Sequence, residues 1–67
     1  MSPDKMIRMA NQIATFFKTQ PNEDAPASVA AHIIDYWEPR MRVQLQDYAR
    51  TGGAGLDDIV LNAIPLI

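Results

Sequence analysis

The sequence predicts an all-α fold, a small helical bundle of three main helices and one short C-terminal helix. Three observations lead there. Apolar residues recur at helical spacing along most of the chain. Serine, aspartate and proline stand where helices would begin, with glycine and proline where they would stop. No strand-like alternation of apolar and polar residues persists, and no internal repeat is present.

The first helix is expected over residues 3–18. Ser2 and Pro3 form an N-cap and N1 pair. On a wheel, Phe16, Met9, Ile13, Met6, Phe17, Ala10, Ala14 and Ile7 fill one arc of about 180°. Lys5, Gln12, Arg8, Thr15, Asn11 and Lys18 take the other half. A single core contact needs an apolar stripe of only about 100°, so part of this arc is available to another molecule. Met6, Met9, Phe16 and Phe17 are most economically core residues, although methionine and aromatics also suit adaptable protein contacts.

The stretch T-Q-P-N-E-D-A-P is rich in turn formers and reads as a loop ending near the Asp24 to Pro26 helix start. A second helix follows over about residues 26–37, with Val29, Ala30, Ile33, Ile34 and Trp37 on one face and Tyr36 at its margin. Ser28, His32 and Asp35 stand opposite. Pro39 disfavours the α conformation at Glu38, so the chain should break there. The third helix, about 39–51, carries a narrow stripe of Met41, Leu45 and Tyr48, and Gly52 and Gly53 stop it. G-G-A-G then forms a turn, Asp57 is a good N-cap, and a last helix over about 58–64 is stopped by Pro65. Residues 1–67 are read as a single helical domain.

A chain of 67 residues can bury only about 60% of its unfolded surface, close to the lower limit for independent folding. It has no cysteine, which excludes disulfide staples and thiolate-held metals. Marginal stability of this kind favours a partner or an oligomer, including a homodimer when the chain is alone. A formal charge of −2 gives no general attraction to nucleic acid or anionic membrane. No apolar run approaches the 18 or so residues that would cross a bilayer, and the expected compartment is the cytoplasm.

The segment W-E-P-R-M-R-V-Q-L, Trp37 to Leu45, is the best candidate for function. Arg40 and Arg42 fall in the first turn of a helix, where the macrodipole is positive and each arginine is misplaced by roughly 0.3 to 1 kcal/mol unless an anion compensates. They stand about 100° to either side of Met41, flanking the apolar stripe. Solvation would accommodate them, but an arginine fork can also hold a partner's carboxylate in bidentate fashion. Trp37 is a large anchor beside the break and can pack inward or meet a partner. The expected partner-binding residues are therefore Trp37, Pro39, Arg40, Met41 and Arg42, with Met9 and Phe16 from the first helix. An alternative is a nucleic-acid-binding module using Arg40, Arg42 and Arg50, which the net acidity opposes.

Catalytic chemistry has little support. His32 reads as a surface or edge residue, since a metal site needs three or four converging ligands and a catalytic pair needs a nucleophile. Asp57 and Asp58 begin a helix, where carboxylates serve the dipole. The glycines follow a helix and lack the G-x-x-x-x-G-K-[ST] pattern of a phosphate cradle. No catalytic, cofactor-binding or metal-binding residue is expected.

Three blocks carry a resemblance: K-M-I-R-M-A-N-Q-I-A-T-F-F from Lys5 to Phe17, H-I-I-D-Y-W-E-P-R-M-R-V-Q-L from His32 to Leu45, and G-G-A-G-L-D-D-I-V from Gly52 to Val60. In this order they resemble the delta subunit of cytoplasmic, NAD-dependent, molybdenum- or tungsten-containing formate dehydrogenases. The resemblance implies an accessory subunit of a complex that oxidises formate to carbon dioxide and passes the electrons to NAD. In that family the alpha subunit holds the pterin-bound metal and iron–sulfur clusters, and other subunits hold flavin and further clusters. The implied partner is the catalytic alpha subunit, which this chain would hold, stabilise or help to assemble. With no cysteine and one histidine, it cannot itself ligate a cluster in the usual way.

Overall fold

The computed structural model describes residues 1–21 and 24–67, all of them helix, turn or loop. Residues 22 and 23 of the expected loop lie outside the described residues. The order is α1 (Pro3–Lys18), α2 (Ala25–Tyr36), α3 (Pro39–Arg50), α4 (Asp58–Ala63) and a 3-10 turn (Ile64–Leu66). The architecture is a small all-α bundle.

Each helix starts where its local chemistry allows. The Ser2 hydroxyl accepts from the Lys5 N–H at 3.2 Å, and Pro3 gives up no hydrogen bond at the first helical position. Asp24 accepts from the Ala27 N–H, so α2 begins one residue before the expected start, at Ala25. Glu38 caps α3 with its backbone alone, its carbonyl accepting from the N–H groups of Met41 and Arg42. The end of α3 is a Schellman motif: the Gly52 N–H donates to the Ala49 carbonyl and the Gly53 N–H to that of Tyr48, both at 3.1 Å. Gly53 has φ +62°, and a Cβ there would lie 2.7 Å from the Leu61 side chain. The left-handed φ favours glycine, and any side chain there would also have to displace the Leu61 methyl.

The chain's last residues depart from expectation. The last α-helix ends at Ala63, one residue before the expected boundary, and the backbone tightens into a 3-10 turn that includes Pro65 instead of stopping. Proline lacks the N–H that would continue an α-helix, but an early position in a 3-10 turn does not use it. The Ile67 N–H closes the turn on the Ile64 carbonyl at 3.1 Å.

The core contains Met6, Ala10 and Ala14 from α1, Val29, Ala30 and Ile33 from α2, Trp37, Leu45, Leu56, and Val60 and Ala63 from α4. Alanine on α1, α2 and α4 lets those backbones approach closely, and the tightest helix pairs are α2 with α4 and α1 with α2. Helix α3 stands further off. It reaches the core through Leu45, with Met41, Tyr48 and Ala49 partly buried beside it. The loop before α4 is fastened by Asn11, whose side-chain amide donates to the Gly55 carbonyl at 2.9 Å and accepts from the Asp57 N–H at 2.8 Å.

Candidate partner-binding groove

The wide apolar arc of α1 is divided between two neighbours. Met6, Ala10 and Ala14 are sealed in the core, while Met9, Ile13 and Phe17 are only partly buried and Phe16 is 59% exposed. This outer flank forms one wall of a groove of about 620 Å³. His32 and Tyr36 from α2 form the opposite wall, and Trp37 and Met41 close the end where α3 begins. Helix α3 packs only loosely on α1 and α2, which leaves these flanks without a helical neighbour.

Its surface is largely aromatic. The Phe16 and Phe17 rings meet edge to face at 5.1 Å, Phe17 meets His32 at 6.2 Å, and His32 meets Tyr36 at 4.7 Å. Tyr36 is 75% exposed at the rim. Apart from the Gln12 amide, the His32 imidazole, the Tyr36 hydroxyl and the Trp37 indole N–H, the side chains of the lining offer only hydrocarbon, thioether and aromatic carbon. Such a surface is suited to an apolar side chain or helix face.

Of the seven residues expected to bind a partner, the groove brings together Met9, Phe16, Trp37 and Met41. Trp37 does not project as an anchor: it is 6% exposed, because the chain leaves the helix in an extended conformation after α2 and the indole packs into the core. Pro39 and Arg40 are exposed outside the groove lining. Arg42 is placed by a contact within the chain. Its guanidinium donates to the carbonyls of Ile34 at 3.0 Å and Trp37 at 3.3 Å, at the C-terminal end of α2. That end carries partial negative charge and no basic residue of its own. An arginine at the wrong end of α3 thus stands at the right end of α2.

The remaining ionic contacts are peripheral. Lys18 pairs with Asp57 at 3.0 Å and Arg50 with Asp47 at 2.9 Å. The Asp57 carboxyl is held below the usual carboxylate range, chiefly by the hydrogen bond from the Ile59 backbone N–H and then by that from Lys18. Of the arginines in the nucleic-acid alternative, Arg42 and Arg50 are both engaged internally, which leaves no continuous free basic face on α3. Among the described residues, no cluster of three or more histidine, cysteine or acidic side chains could hold a metal ion, and no helix is long and apolar enough to cross a membrane.

The helical pattern puts His32 on a polar face and Tyr36 at a margin, yet both line the groove. Their i,i+4 spacing next to Trp37 is the signal that could have found them. Ile13 and Phe17 were readable from the width of the α1 arc.

Fold and site together define a small all-α chain whose distinctive surface is an apolar groove between helices. A sequence profile for the NADH-dependent formate dehydrogenase delta subunit, FdsD, matches residues 5–64, and the chain belongs to that family. Every residue that lines the groove falls within the matched span. No match is found among curated proteins.

Proposed function

We propose that the chain is a non-catalytic accessory subunit of a cytoplasmic, NAD-dependent formate dehydrogenase complex, in which it binds the catalytic alpha subunit and stabilises it or assists its assembly. Family membership supports the complex, and the groove supports the mode of action. An exposed aromatic surface between helices has no use in an isolated chain this small, whereas a partner's apolar face would cover it. In this reading the chain takes no cofactor, and the metal and clusters belong to the other subunits.

Co-expression with the alpha subunit tests the proposal. A stoichiometric complex should be recovered at moderate salt. Phe16→Ser and Tyr36→Ser, at exposed positions, should each reduce recovery at least tenfold while leaving the helical circular dichroism of the free chain unchanged. Failure of the wild-type chain to co-purify, or undiminished recovery of both variants, would overturn it.

A further inference from the structure

The charges beside the groove specify its occupant more closely. Among the described residues, three of the six cations are engaged within the chain: Lys18 with Asp57, Arg42 with the α2 carbonyls and Arg50 with Asp47. Lys5, Arg8 and Arg40 make no such contact, and the fold gathers them at one end of the groove. Lys5 lies one turn before Met9 and Arg8 one turn before Gln12, and both of those later residues line it. Arg40 adjoins Met41 in the lining and lies one turn before Gln44. The Gln44 amide in turn donates to the Met1 carbonyl at 2.7 Å, so the middle of α3 lies beside the residues that lead into α1, one turn before Lys5. Arg42 shares this end and keeps its charge, because its partners are neutral carbonyls, and the carboxylates there are Asp4, Asp35 and Glu38, leaving it net +1 while the rest of the chain carries −3. The opposite end, at Phe16 and Phe17, has its cation Lys18 neutralised by Asp57.

We infer that the groove receives an amphipathic helix of the alpha subunit whose apolar anchors are followed, at the Met9–Met41 end, by carboxylates that meet Lys5, Arg8 and Arg40. This rests on the function proposed above. The wall from Met9 to Phe17 is roughly 12 Å long at about 1.5 Å per residue, the length of two helical turns with anchors at i, i+3 or i+4, and i+7. Apolar contacts supply the affinity. The exposed cations select the partner and its direction in the groove, and they speed encounter in a manner that salt screens.

The test is the association of the purified chain with alpha subunit prepared without it, measured at a series of salt concentrations. The wild-type association rate should fall steeply with salt. The triple variant Lys5→Gln, Arg8→Gln, Arg40→Gln should associate about tenfold more slowly at low salt and lose most of the salt dependence, with little change in dissociation rate. Arg50→Gln should behave as wild type, and circular dichroism should show all variants equally helical. A triple variant that binds with wild-type rate and salt dependence would overturn the charge assignment while leaving the accessory role standing. Absence of wild-type binding at every salt concentration would overturn both. Sedimentation that finds a dimer of the free chain, dispersed by Phe16→Ser, would assign the groove to a second copy and overturn the inference.

Discussion

Arg40 and Arg42 lie two positions apart in one helical turn and have different roles. The Arg42 guanidinium bonds two carbonyls at the end of α2, where the first helix of the corner would otherwise leave acceptors unmatched. Arg40 has no partner among the described residues. Arg42→Ala should therefore destabilise the isolated chain by about 1 kcal/mol, and Arg40→Ala by less than about 0.5 kcal/mol, as measured by urea unfolding. Equal effects would show that the bonds to Ile34 and Trp37 contribute nothing. The purpose of Arg42 is not legible on a helical wheel, because its acceptors belong to a different helix reached only after the chain turns at Trp37 and Glu38. Trp37 posed the same problem, since its hydrophobicity alone is compatible with either the core or an interface.

At the scale of the element, helix starts are legible because capping is local: Ser2, Asp24 and Asp57 each accept from a backbone N–H two or three residues ahead. Asp57 also joins α4 to α1 through Lys18. Its folded-state pKa is depressed, so its contribution to stability is fully present above the unfolded value of about 3.9 and is lost as pH falls through the lower, folded value. An asparagine at this position would keep a capping oxygen without the charge. Asp57→Asn should therefore be less stable than wild type between about pH 5 and 7, and the gap should narrow below about pH 4 in urea titrations. A gap independent of pH would mean that the charge has no part in it. The 3-10 turn was not legible, because Pro65 ends an α-helix and permits a 3-10 turn with equal ease. Nor was the groove, which depends on how far α3 stands from α1 and α2. No periodicity encodes that separation.

For the molecule as a whole, stability at roughly 0.05 to 0.15 kcal/mol per residue leaves only about 3 to 10 kcal/mol in total. Leu45 is the one residue of α3 that is fully buried, so it connects the most loosely packed helix to the core. Leu45→Ala should cost about 2 to 5 kcal/mol and populate the unfolded chain at ambient temperature in the absence of a partner. If the proposed function holds, the alpha subunit should restore its helicity by mass action, which circular dichroism with and without that subunit would detect. Asn11 has a different consequence, for the order of folding. Its two bonds span 44 and 46 residues, and the Lys18–Asp57 pair spans 39. Helical proteins are usually assembled from contacts between near neighbours in sequence and fold quickly on that account. Here the polar side of α1 waits for the segment from Gly55 to Asp57 to arrive, so during synthesis the first helix made is among the last to be locked in place.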